Sequence, residues 1–239
     1  MKFLTSDEDL LNGDSEALSH EEIMNLINFV RPKKEDIFYD LGSGFGSIVI
    51  EFVKHTRVRT AIGIEDDIKR YLHSIEFTRD ELSKHDLTRL ELWCADFYHY
   101  DFSDATIVYN GIDVVGNKSK SDLDEIELYN TYFKDTEVKI IKRDFPLIGY
   151  RPVKSFKNKT NSWFFMMKTP LEKYRLHDYG EWLWYGFANK NKSIDQICNY
   201  YAGEYKKREI FLNKNEINEF KRNFKRMVRK QFDAKSHPF

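Results

Sequence analysis

Phe38-Tyr39-Asp40-Leu41-Gly42-Ser43-Gly44-Phe45-Gly46 decides the fold of this chain. Ile37 to Leu41 has the apolar composition of a buried strand, three glycines break it, and Ile48 to Val53 begins the next helix. Glycines in such a turn let the backbone fold tightly and let a ligand approach its N–H groups. A dinucleotide-binding loop would need G-x-G-x-x-G to set a pyrophosphate on the helix amino terminus. The pattern here is D-x-G-x-G-x-G, with Ser47 at the third dinucleotide glycine. Asp40 would repel a pyrophosphate but attract the ammonium of an amino-acid moiety, directly or through water. A tight turn with no ligand is the remaining reading.

Outward from the glycine turn, strand and helix patterns alternate. Upstream, Ser19-His20-Glu21-Glu22 has capping-box spacing before Ile23, Leu26, Ile27 and Val30, and Pro32 follows the helix end. Downstream the pattern predicts a strand over 60–65, a helix over 67–84, strands over 89–94 and 105–110, a helix over 123–133 and a strand over 138–143. This alternation implies a parallel, doubly wound α/β sheet. Residues 151–156 and 162–168 then read as an antiparallel hairpin on its edge, joined by Lys157-Asn158-Lys159-Thr160-Asn161, with little room for a helix before it. From Pro170 onward the expectation is helical. Ser193-Ile194-Asp195-Gln196 and Asn213-Lys214-Asn215-Glu216 both have capping-box spacing, so residues 171–239 form a helical extension to a domain over 1–170.

The acid followed by glycines resembles motif I of class I S-adenosylmethionine (SAM) methyltransferases, and further acids stand where that likeness needs them. Glu65 ends Ala61-Ile62-Gly63-Ile64-Glu65, where a carboxylate can accept both ribose hydroxyls; an exposed loop acid is the alternative, given Asp66 and Asp67. Asp96, in Trp93-Cys94-Ala95-Asp96-Phe97, can accept from the adenine amine, with Phe97 near the ring. These positions lie at the carboxyl ends of successive strands, the usual ligand crevice of an open α/β sheet. The fourth strand ends Ile107-Val108-Tyr109-Asn110-Gly111. Asn110 is followed by Gly111-Ile112-Asp113 and not by the two prolines and aromatic usual in methyltransferases of nucleobase amines. Its amide can accept from an incoming amine and orient the lone pair, or Asn-Gly can be a plain turn pair.

Together these stretches resemble the motifs of the protein lysine methyltransferases related to disruptor of telomeric silencing, the histone lysine methyltransferases that lack a SET domain. The resemblance covers roughly residues 15 to 170. It implies a seven-stranded Rossmann-like sheet, mostly parallel with a C-terminal antiparallel hairpin, and S-adenosyl-L-methionine as cofactor. Asp40, Gly42, Gly44 and Gly46 would hold the methionine end, Glu65 the ribose, Asp96 and Phe97 the adenine, and Asn110 would line the lysine channel. Two stretches depart from the family: Asn12 to Ser19 lacks its Tyr-Gly-Glu-Thr-like element, with Glu16 standing in for the acid, and Gly111-Ile112 replaces Asn-x-Phe. A lysine of pKa near 10.4 costs about 4 kcal/mol to present neutral at pH 7. Desolvation and the cofactor's positive charge can supply that shift, so no dedicated histidine base is required.

Composition sets the remaining bounds. The 239 residues are 41% hydrophobic and 15% aromatic, enough for a sizeable core. Net charge is −1, but residues 190–239 carry 13 Lys and Arg against 6 Asp and Glu, leaving the body acidic. In the last helix, Ile217, Phe220, Phe224, Met227 and Val228 recur at helical spacing while Lys221, Arg222, Lys225, Arg226 and Arg229 occupy other faces. That helix is either docked with a solvated basic face or a surface for nucleic acid. Only Cys94 and Cys198 are present, and the histidines show no metal-binding spacing, so no metal is expected. An acidic start without an apolar segment, and no long apolar run, point to a cytoplasmic protein without a membrane span. The leading expectation is methyl transfer to lysine in a basic, histone-like or DNA-associated protein. Its rivals are RNA methylation, with the basic helix as footprint, and a non-catalytic module that binds nucleic acid or a partner.

Overall fold

The computed structural model describes residues 18–111, 122–143, 147, 150, 152–159 and 162–171, together with 214, 215, 218 and 222. Seven strands form one sheet: β1 (Ile37–Leu41), β2 (Thr60–Glu65), β3 (Leu90–Cys94), β4 (Ile107–Asn110), β5 (Lys139–Arg143), β6 (Lys154–Lys157) and β7 (Trp163–Lys168). Their order is β3-β2-β1-β4-β5-β7-β6. The first five run parallel, β7 is antiparallel to β5, and β6 is antiparallel to β7. This is the α/β sheet with a terminal hairpin that the sequence predicts. The central strand β1 is buried along its whole length, as a strand covered on both faces must be. Alternate residues point to opposite sides: Phe38 enters one core, where its ring stacks on Phe52 at 3.7 Å, while Tyr39 and Leu41 enter the other.

Helices α1 (His20–Val30) and α2 (Ser47–His55) cover the Phe38 face, packing Ile23, Leu26 and Ile27 with Val49, Phe52 and Val53. The capping box on α1 is present: Ser19 accepts from the Glu22 N–H and Glu22 accepts from the Ser19 N–H. Glu22 also accepts from Asn158 Nδ2 at 2.8 Å, and Lys154 Nζ donates to the Phe29 carbonyl at 2.9 Å. The hairpin thereby fixes α1 near both of its ends. On the opposite face, α5 (Asp122–Tyr132) buries Ile126 and Tyr129 against Tyr39, Val108 and Ile140.

The predicted helix over 67–84 is two helices, α3 (Ile68–Glu81) and α4 (Lys84–Leu87). Asp67 caps the first, and Ser83 opens the second by accepting from the Asp86 N–H. A second cap seven residues before β3 ends the first helix and starts another turn. A 3-10 turn at Phe97–His99, absent from the sequence reading, follows β3 with Asp96 as its cap. Lys214, Asn215, Asn218 and Arg222 are helical, in keeping with the predicted start at Asn213. The rest of the extension, with Lys221, Lys225, Arg226 and Arg229, lies outside the described residues, as does Glu16. Among the described residues no helix is long and apolar enough to cross a membrane.

Candidate active site

The glycine turn crosses the carboxyl end of β2. Gly42 and Ser43 both donate their N–H groups to the Ile64 carbonyl at 2.9 Å. Gly42, Gly44 and Gly46 all lie at positive φ (77°, 54° and 78°), the left-handed region that side chains make costly. A β-carbon added to Gly44 would meet nothing within 4 Å, so open space borders the turn there. Gly63, one strand away, has the opposite requirement. A β-carbon on it would stand 2.8 Å from Ser43 Oγ and 3.0 Å from Leu92 Cδ2, so its bare backbone is what lets the turn sit down on β2.

Glu65, 4% exposed, locks the turn in place. Its Oε2 accepts from the Gly44 N–H at 2.7 Å and its Oε1 from the Asp67 N–H at 3.0 Å. Each oxygen keeps a second lone pair, so the bidentate acceptance of two hydroxyls expected from the sequence remains open to it. Burial raises its carboxyl above the usual range, opposed by these two backbone N–H groups. Asp40, 1% exposed and next to last in β1, has an Oδ2 without any hydrogen-bond partner. Burial, and then the nearby Glu65 charge, push its carboxyl up to about 8. A buried carboxyl oxygen without a donor is unfavourable, and a cationic donor is what would relieve it.

Beyond β3, Asp96 accepts from the Tyr98 N–H at 3.0 Å and lies 3.1 Å from His99 Nδ1. Phe97 stacks on Tyr98 with ring centroids 4.4 Å apart. Its half-buried ring borders the same end of the sheet as Asp40 and Glu65.

Asn110 closes the row at the end of β4, and its surroundings are what sequence reasoning missed. Its Nδ2 donates to Glu125 Oε1 at 3.0 Å. The Tyr129 hydroxyl donates to the same oxygen at 2.8 Å, and Lys142 Nζ bonds both Glu125 oxygens at 3.0 Å. Asn110, Glu125, Tyr129 and Lys142 are all at most 5% exposed. Burial and the Glu125 charge drive the Tyr129 hydroxyl pKa far up, which keeps it a neutral donor. Lys142 stands beside Asn110 in the β4–β5 register. The one available signal was a lysine between apolar neighbours in Ile140-Ile141-Lys142, since a charge in a buried strand needs a partner. Which helix supplies that partner is not written in the local pattern.

These residues fit SAM. Asp40 would offer an ammonium an unpartnered carboxyl oxygen, Glu65 would offer a diol a pair of oxygens, and Gly44 leaves an open face beside the backbone. The description "Histone methylation protein DOT1" belongs to the family model that matches residues 15–133. A protein-lysine N-methyltransferase of Saccharolobus islandicus (strain REY15A) is 29% identical over 87 residues, 36% of this chain and 52% of that protein. The chain thus spans about half the length of the curated relative it matches. An RNA methyltransferase from Salinibacter ruber, solved with S-adenosyl-L-homocysteine, superposes with a TM-score of 0.53 at 18% identity. That match covers 64% of this chain and 92% of the other, and the likeness is one of fold.

Proposed function

We propose that this chain, which is a DOT1-like class I methyltransferase, transfers a methyl group from SAM to the side-chain amine of a lysine in a protein substrate. The observation that carries the reading is the row of strand-end groups, with the unpartnered Asp40 oxygen beside a glycine turn clamped by Glu65. The lysine acceptor rests on the family match and on the protein-lysine N-methyltransferase relative.

Asp40 would pair with the methionine ammonium, the glycine turn would approach the carboxylate, and Glu65 would accept from the ribose. Asp96 and Phe97 would border the adenine. The bound cofactor supplies a methyl carbon on a positively charged sulfur, open to in-line attack. Asn110, held by Glu125, would accept a hydrogen bond from the incoming amine through Oδ1 and so aim its lone pair. The amine must arrive neutral, at a cost of about 4 kcal/mol in water near pH 7. An apolar channel would lower the pKa of the incoming lysine by desolvation. The acidic balance of residues 1–189 favours a basic acceptor, such as a DNA-associated protein. The basic stretch with Lys221, Arg222, Lys225, Arg226 and Arg229 would contact the nucleic acid such a substrate accompanies.

The test incubates the purified chain with radiolabelled SAM and a cell lysate, then divides the products between protease and nuclease. The expected result is protease-sensitive label on a basic protein, reduced at least about 100-fold in Asn110→Ala. Nuclease-sensitive label would overturn the lysine reading in favour of RNA.

A further inference from the structure

The sequence offers no metal-binding spacing among its histidines, yet the fold brings two of them together. His20 opens α1 and His55 ends α2, and both approach Glu51, one turn before His55. His20 Nδ1 lies 3.1 Å and His55 Nε2 3.0 Å from the same oxygen, Glu51 Oε2. Glu51 is 1% exposed, and neither of its oxygens has a hydrogen-bond partner, nor does His20 Nδ1. Two ring nitrogens thus stand close to a buried carboxylate oxygen with which they form no hydrogen bond. The two rings meet edge to face, with centroids 5.7 Å apart. Lys54 Nζ stands 4.0 Å from Glu51 Oε1 but is engaged at 2.9 Å by Glu81, which leaves Oε2 to the histidines.

We propose that His20, Glu51 and His55 form a binding site for a borderline-soft divalent cation of the Zn2+ class. Ligand atoms of a tetrahedral site with bonds of about 2.0–2.1 Å stand roughly 3.3 Å apart. The two His–Glu separations are within a few tenths of an ångström of that, and all three atoms lie within 4.8 Å of one another. Two imidazoles and one carboxylate match the ligand preference of zinc, with water at the fourth position. The half-exposed side chains of His20 and His55 leave that position to solvent. The site lies at the end of α2 remote from the glycine turn, so it is separate from the row of Asp40, Glu65 and Asn110. A bound ion would tie α1 to α2, stiffening the helix whose other end carries Gly46.

The full chain, stripped with chelator, is titrated with Zn2+ by calorimetry and with Co2+ by visible absorption, and its melting temperature is followed with and without Zn2+. Glu51 is buried in α2, so the informative variants are the two surface-reaching ligands, His20→Ala and His55→Ala, with exposed His85→Ala as control. The expected result is one ion per chain, the absorption of four-coordinate Co2+, and a higher melting temperature with Zn2+. Affinity falls more than about 100-fold in each ligand variant and is unchanged in His85→Ala, since even outer partners of metal ligands are worth about 10–100-fold. Absence of binding by the intact chain overturns the site, and so does binding that survives both ligand variants. None of these readouts depends on methyl transfer, so the site stands or falls apart from the proposed activity.

Discussion

Gly44→Arg abolishes SAM binding while the chain still folds. Gly44 has φ +54°, so any side chain there carries the left-handed penalty of about 1–2 kcal/mol. That is affordable for a domain with a continuous two-sided core, and no neighbour within 4 Å obstructs the new β-carbon. The open space the arginine side chain enters is the space the cofactor needs, and its positive charge repels the methionine ammonium that Asp40 would hold. Calorimetry should show affinity reduced at least about 100-fold, or about 2.7 kcal/mol, with circular dichroism unchanged. Unaltered SAM affinity in a folded Gly44→Arg would place the cofactor elsewhere.

Glu125→Ala produces the largest loss of stability. Glu125 is the common acceptor for Asn110, Tyr129 and Lys142, and removing it leaves the Lys142 ammonium buried without its counter-ion. Breaking one partner from a buried ion pair costs about 3–5 kcal/mol. The pair itself is worth far less, since an apolar replacement of both partners is often neutral. Glu125→Leu combined with Lys142→Met should therefore regain most of the melting temperature lost in Glu125→Ala. Methyl transfer should not return with it, because Asn110 loses the acceptor that fixes its amide. Denaturant unfolding together with kcat separates these two effects. A double variant that recovers both stability and kcat would show that Glu125 serves the fold alone.

These two sites differ in how far the sequence exposes them. The glycine turn is legible because its requirements are local: Asp40 precedes glycines that must take positive φ, and Glu65 and Asp96 follow at strand ends whose apolar patterns are plain. The hairpin is equally plain, from Phe164 to Met167 and the polar turn before them. The clamp of Glu65 on the Gly44 N–H is less so, since it depends on how β1 and β2 register. The Glu125 network depends on the pairing of β4 with β5 and on the rotation of α5, which no local spacing records. His20 and Glu51 are likewise far apart in the chain, and only the packing of α1 on α2 makes them neighbours. The break between α3 and α4 was within reach, because Ser83 followed by Asp86 is a cap signal inside a stretch that otherwise reads as one helix.

The central claim is that Asp40 receives the cationic end of SAM. Asp40, raised to about 8 by burial and by Glu65, carries its proton in the empty site at pH 7. A neighbouring ammonium favours the charged carboxylate and pulls that pKa down. Binding therefore expels a proton, and affinity rises with pH up to about 8 and falls as pH drops below it. The most direct measurement is calorimetry of SAM binding at pH 7 in two buffers of different ionisation enthalpy, for the natural chain and for Asp40→Asn. The account predicts release of roughly one proton by the natural chain, with both the proton release and most of the affinity gone in Asp40→Asn. Binding heat that is independent of buffer, or full affinity in Asp40→Asn, would contradict it.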